Sequence, residues 1–311
     1  MGSQPKKLSA SRISAAMGIN PYKSRIDLWF EIMEEESPVW LENNGYKLPK
    51  KKETGAPLKL GLAFENPIMD YLGLTGEREK FFGIGIHTAH LDNFDHKNNS
   101  IDEIKTTSIF SFREKFGEEC TDQIPPEYIV QVNQQMWLSG AKSCNVHVLV
   151  FPESQDNLEK NGILDLSETE KVQTVKYLDK MGFLKKYTVN KDKNIVEKIK
   201  KTGKEFWKHI QTKTPPNPID IDDVKKILLP VSGECLATPE IIEKTKVYNY
   251  INSEFARIKG EKEKLAGEIL DYMQKNCNEA KTGKMIMKNN RGFNIASFSS
   301  RLSVNREKEK E

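Results

Sequence analysis

Two short runs rich in strand-forming residues, 86–91 and 101–107, flank a mostly polar segment, and Asp92 stands where the first run gives way. The interruption predicts two strands joined by a turn, with Asp92 at the end of the first and Asn93, a turn former, after it. Successive strand residues face opposite sides, so Glu103 and Lys105 share a face, and Ile104 turns away while its carbonyl still reaches that side. Asp95 and Asp102 compete with Asp92 for the role of first carboxylate. The order Leu91-Asp92-Asn93 selects Asp92, and two carboxylates and an ammonium then converge.

Such a trio suits phosphodiester hydrolysis, in which carboxylates hold a hard, oxygen-loving cation such as Mg2+ beside the scissile phosphate. The cation polarises the phosphoryl oxygen and acidifies water, and a lysine orients the nucleophile or offsets developing charge. A solvated hairpin carrying the same residues by chance is the bland alternative, because the chain has 48 Lys and Arg against 45 Asp and Glu. The resulting net charge of +3 requires any nucleic-acid surface to be local.

With 37% hydrophobic and 30% charged residues in 311, the chain supports one or two cores. Cys120, Cys144, Cys235 and Cys277 are scattered without a C-x-x-C pair, which argues against a zinc knuckle, an iron-sulfur cluster or a disulfide framework. No apolar run approaches membrane-spanning length, so a soluble protein with reduced thiols in a cytoplasm is expected, with no membrane partner. Gly83-Ile84-Gly85 lacks the remainder of a dinucleotide loop, and no Walker motif is present.

Residues 8–18 read as a short helix capped by Ser9 or Ser11 and stopped by Gly18. Its start, with Ser9, Ser11 and Arg12, is equally suited to cradling a phosphate. A second helix begins at Ser24 and turns Ile26, Leu28, Trp29, Ile32 and Met33 toward a core. Lys47, Lys50, Lys51 and Lys52 mark an exposed loop able to follow a DNA backbone. Residues 61–72 form a helix with Leu62, Ile68, Tyr71 and Leu72 inward and a kink at Pro67. Glu65 lies among its apolar residues and needs a partner or a cation, which makes it a third candidate ligand.

Pro125-Pro126-Glu127 opens a helix closed by Gly140, with Tyr128, Gln131 and Gln135 on one face able to bond a nucleotide or a water. Residues 145–151 read as a buried central strand, 182–189 as another strand, and 193–210 as an amphipathic helix ending before Pro215-Pro216. His87 and His90 face opposite sides of their strand, so a packing role is favoured over metal binding, with His90 on the Asp92 side. Near the end, Tyr248, Ile251, Phe255, Ile258, Lys262, Leu265, Ile269 and Tyr272 alternate spacings of three and four. That stripe suits a coiled-coil seam or a helix laid along the main body, and a hairpin around Asn289-Asn290 follows it.

Taken together, Ser9-Ala10-Ser11, residues 18–24, 61–65, Asp92 with Glu103-Ile104-Lys105-Thr106-Thr107, and residues 126–140 resemble the lambda-exonuclease family. The likeness is to its YqaJ-like phage recombination exonucleases, within the PD-(D/E)XK, restriction-endonuclease-like superfamily. It covers roughly the first two thirds of the chain. It implies that Glu65, Asp92 and Glu103 hold Mg2+, or Mn2+ in its place, with the Ile104 carbonyl. Lys105 assists the attacking water, Gln131 supports the site, and Ser9 and Ser11 grip a terminal phosphate, with Arg12, Tyr128 and Gln135 as further DNA contacts. Lambda-like members carry an additional acidic residue before the hairpin, where this chain reads Phe81-Phe82-Gly83, and Asn93 replaces the family's usual Gly.

The expected fold is α/β of the α+β kind, a restriction-endonuclease-like core with a central mixed sheet flanked by helices, followed by a long helix and a β-hairpin. The expected domains are a nuclease domain over 1–218 and a helical extension over 219–311. The expected function is a Mg2+-dependent 5′-to-3′ exonuclease that resects linear double-stranded DNA ends for phage-type recombination. It would work with a single-strand annealing protein of the RecT or Beta type, as a homo-oligomer or ring. A non-catalytic DNA-end-binding scaffold is the alternative, and an endonuclease the third reading.

Overall fold

The computed structural model describes residues 7–46, 55–227, 235–276, 285–288, 294–298 and 302–304. The chain opens with β1 (Leu8–Ser9), α1 (Ile13–Ala16), α2 (Arg25–Glu36), α3 (Pro38–Asn43) and α4 (Ala56–Leu72). Ser24 and Asp27 form a reciprocal capping box that starts α2, and Trp29 is buried within it as expected. The first helix departs from its expectation: Leu8 and Ser9 pair in parallel with His87 and Thr88, and Arg12 stands at the N-cap without a side-chain bond. A strand edge needing partners takes the backbone that a serine cap would have used. Gly18, at φ +73°, follows α1 as expected.

Gly55 and Pro57 start α4 earlier than expected, and the helix continues through Pro67. Its buried side is Leu60, Phe64, Ile68 and Met69, whereas Leu62, expected inward, is exposed. A stripe read with the wrong starting residue rotates the whole face.

Next come β2 (Glu77–Ile84), β3 (His87–Asp95), β4 (Ser100–Ser108), α5 (Ile109–Lys115), α6 (Pro126–Ser139) and β5 (Ser143–Phe151). The turn between β3 and β4 is tighter than expected, because Asp95 accepts the Lys97 and Asn98 N–H groups and Asn93 and Phe94 stay in the ladder opposite Asp102 and Ile101. Asp92 therefore lies inside a strand and not at its end. Gly140, at φ +80°, closes α6, and β5 then lies parallel to β4 as the buried central strand.

The first unit continues with α7 (Gln155–Lys160), α8 (Glu168–Lys180), β6 (Leu184–Asn190), α9 (Lys193–Gln211) and α10 (Ile221–Ile227). The sheet runs β1-β3-β4-β5-β6, with β2 also on β3. On one side Val146, Val148 and Ile101 pack with Val132 and Met136 of α6; on the other, Ile104 and Leu149 pack with Leu60 and Phe64 of α4 and with Val175 and Leu178 of α8. This is the expected mixed sheet between helices.

The chain divides into two compact units, Met1–Pro230 and Val231–Glu311. The first extends past Pro218 because α10 packs on α2, with buried Asp223 accepting the Ser24 hydroxyl at 2.6 Å. The second holds α11 (Pro239–Asn276) and a small antiparallel sheet of β7 (Met285–Lys288), β8 (Asn294–Phe298) and β9 (Leu302–Val304). The lysine-rich loop 47–52, Cys277 and the turn at Asn289-Asn290 lie outside the described residues. No described helix is long and apolar enough to cross a membrane, and Cys120, Cys144 and Cys235 are free thiols.

Candidate active site

β2 pairs with β3 along nearly its whole length, so β1 and β4 must share the other edge of β3. β1 takes it at His87 and Thr88, and β4 at Asn93, Phe94 and Asp95. Between them the edge is open, and the backbone groups there need other partners. The glutamines of α6 supply them. Gln134 Nε2 donates to the carbonyls of Leu8 and Thr88 at 2.8 and 3.1 Å, and Gln135 Nε2 donates to the His90 carbonyl at 3.3 Å. Asp92 closes the gap from the other direction, its Oδ2 accepting the Ile104 N–H at 2.7 Å.

Into this split project the candidate residues. Glu103 is buried, and both of its oxygens are held: Oε1 by Gln131 Nε2 and Lys105 Nζ, each at 2.5 Å, and Oε2 by Gln135 Nε2 at 2.7 Å. Lys105 Nζ also lies 5.1 Å from the centre of the Tyr128 ring. Asp92, Glu103, Lys105, Gln131, Gln135 and Tyr128 are therefore assembled in one place. Gln135 serves there as a buried brace for Glu103, and Ile104 binds Asp92 through its N–H.

The electrostatics are those of crowded carboxylates. Burial pushes the Asp92 carboxyl well above the usual range, and Glu103 beside it adds to this, against the opposing effects of Lys105, the Ile104 N–H bond and the background of Glu65. Glu65 is raised in the same way, by burial and then by Glu103, with Glu79 contributing. Burial alone would neutralise Lys105, but Glu103 and Asp92 outweigh it and hold the ammonium above its ordinary range. Negative charge exceeds the positive charge present to balance it.

Glu79 is the residue that sequence reading missed. It lies in β2 between Arg78 and Lys80, which pair with Asn93 and Leu91, and it adopts φ +51° there. The run before β3 was not read as a strand, so an acid facing the Asp92 level had no signal beyond its position ahead of the hairpin.

The other candidates lie apart from this group. Ser9 and Ser11 bond each other at 3.0 Å, and buried Arg12 bonds Glu31 at 2.5 Å and Glu35 at 3.3 Å on α2. His87 packs as expected: it is buried, edge-on to Trp137, with Nδ1 3.3 Å from Gln134 Oε1. Gly203 of α9 sits so close that a Cβ there would come within 2.3 Å of the ring. His90 is exposed and lies against Phe81.

For a divalent cation, the donors fit in kind: hard carboxylate oxygens whose raised pKa values show that they lack a counter-charge. Among the described residues no three such side chains yet stand close enough to enclose an ion. The arrangement is a buried carboxylate pair with Glu65 beside it.

Among curated proteins none matches this chain. Among solved structures, an alkaline exonuclease from Laribacter hongkongensis, LHK-Exo, is 16% identical, with a TM-score of 0.45 over 68% of this chain and 91% of its own. Its complex with dAMP gives 17% and 0.45, over 67% and 90%. A phage-related exonuclease from Haemophilus somnus 129PT is 14% identical, with a TM-score of 0.41 over 67% and 96%. Residues 2–142, which hold every residue gathered in the split between β3 and β4, match the YqaJ-like viral recombinase domain, and this part of the chain is a domain of that family.

Proposed function

We propose that the chain is a divalent-cation-dependent deoxyribonuclease that resects linear duplex DNA from its ends, 5′ to 3′, for phage-type recombination beside a single-strand annealing protein. The observation that carries this reading is the gathering of Asp92, Glu103 and Lys105 where β3 and β4 part, with Glu65 alongside. The match of residues 2–142 to a viral recombinase domain supports a DNA substrate.

Asp92, Glu103 and Glu65 would hold Mg2+, for which Mn2+ would substitute, and the Ile104 carbonyl is the remaining candidate ligand. When bound, the cation supplies Lewis acidity at the phosphoryl oxygen and acidifies water. The chain's own residues do the rest. Lys105, kept protonated by its two acidic neighbours, cannot act as a base; it places positive charge where the phosphorane-like transition state gains negative charge. Gln131 and Gln135 fix the Glu103 carboxylate from both sides, and the Ile104 N–H fixes Asp92, so little reorganisation accompanies the reaction. Ser9 and Ser11, near the start of α1, are the proposed contacts to a terminal phosphate.

The test is degradation of linear duplex with 5′-phosphate or 5′-hydroxyl ends and of closed circles, with Mg2+ or chelator, by wild type and Lys105→Ala. The reading expects Mg2+-dependent loss of linear DNA alone, faster from 5′-phosphate, and none from the variant. End binding without cleavage would replace it with a scaffold, and cutting of circles with an endonuclease.

A further inference from the structure

In α11, the stripe Tyr248, Ile251, Phe255, Ile258, Leu265 and Tyr272 lies open: each of these side chains is more than half exposed. The helix runs for 38 residues. Its contact with β7 does not use the stripe, and the residue buried near its end is Met273. A solitary helix of this length, with Gly260 and Gly267 in its interior, gains stability by burying an apolar seam.

The pattern along the seam names its occupant. Counted in sevens, Tyr248, Phe255, Lys262 and Ile269 take the first core position, and Ile251, Ile258, Leu265 and Tyr272 the second. Glu254, Glu261 and Glu268 then flank one side of the seam, and Lys259 lies on the other. An antiparallel copy would set those three acids against their own counterparts. A parallel copy in register sets Glu254 against Lys259 of the partner helix, twice by symmetry, and brings Glu261 beside the partner's Lys262. Within one helix Glu254 and Glu261 already bracket Arg257, at 2.9 and 2.6 Å. Lys262 in a core position favours two strands, where its ammonium still reaches water, and it fixes the register.

We propose that α11 pairs in parallel with the α11 of a second copy, as a two-stranded coiled coil that ties two copies of the first unit together. The pairing raises the concentration of one catalytic unit near DNA held by the other. It stands independently of the nuclease reading, because its test needs neither DNA nor a cation.

Sedimentation of the full chain at micromolar concentration is the experiment. Wild type is expected as a dimer and Ile251→Glu/Ile258→Glu, which alters only exposed positions, as a monomer. Lys259→Glu should weaken the dimer about tenfold, the scale of reversing two exposed ion pairs, and adding Glu254→Lys should restore it. A monomeric wild type, a trimer, or a dimer unaffected by the double glutamate variant would overturn the proposal. Failure of Glu254→Lys to rescue Lys259→Glu would overturn the parallel register.

Discussion

Asp102 and Glu103 are neighbours on one strand, both buried, and they face opposite sides of the sheet in opposite electrostatic situations. Burial alone would raise the Asp102 carboxyl, but His147 Nε2 at 2.9 Å, Asn93 Nδ2 at 2.8 Å and Asn145 Nδ2 at 3.2 Å donate to it and hold it below its ordinary range. Every donor there answers one carboxylate. On the other side, Glu103 shares one ammonium with Asp92 and Glu65, whose carboxyls are both pushed up. The first arrangement is a finished structural contact, and the second holds surplus negative charge in readiness for a cation. Burial of an acid is thus no guide to function; the charge balance around it is.

The sharpest way to break this contrast is to neutralise one acid at a time. Glu103→Gln should lower DNA degradation by about a thousandfold, the loss typical of removing a preorganised charge from an active site, while a thermal melt stays near wild type. Asp102→Ala should do the reverse, costing about 3 kcal/mol in chemical denaturation because a buried ion-pair partner is removed.

A smaller effect carries the opposite sign. Asp92→Asn keeps an acceptor for the Ile104 N–H and removes a carboxylate whose ionisation the fold resists. Without divalent cation the variant should melt about 3 °C higher at neutral pH, roughly 1 kcal/mol for a domain of this size. Asp92 has a raised folded pKa, so the stability it withholds is absent below the ordinary Asp range and grows as pH rises through its folded pKa. The gain from Asp92→Asn should therefore shrink as the melt is repeated toward about pH 4. Asp102 is depressed, so its contribution is present above the ordinary Asp range and lost on acidification through its folded pKa; the deficit of Asp102→Asn should likewise shrink in acid. Equal pH profiles for the two variants would erase the distinction.

Smaller still, Gly203→Ala should destabilise the fold by about 1–3 kcal/mol through overpacking against His87, leaving the degradation rate of the folded fraction unchanged.

The contrast was half legible beforehand. Alternation along 101–107 placed Glu103 and Lys105 on one face, and the proline-to-glycine frame of residues 126–140 placed Gln131 and Gln135 one turn apart, so both sides of the site could be read locally. The choice of Asp92 over Asp102 rested on a turn that the structure moves to 96–99; alternation of strand faces is what separates the two acids in the fold. What stayed hidden was non-local. The shared edge of β3, occupied by β1 and β4 with a gap between them, is a pairing across some eighty residues of chain, and no period in either segment announces it. Glu79 was hidden for the same reason, because its strand is recognisable only beside β3. The rotation of α4 that exposes Leu62 came from a helix whose start at Gly55 was not seen.

The most direct measurement compares Asp92→Asn and Asp102→Asn, each confirmed folded, in Mg2+-dependent degradation of linear duplex DNA. The account predicts that Asp92→Asn is inactive and Asp102→Asn retains near wild-type activity. An active Asp92→Asn beside an inactive, folded Asp102→Asn would place the chemistry on the other face of the sheet and contradict it.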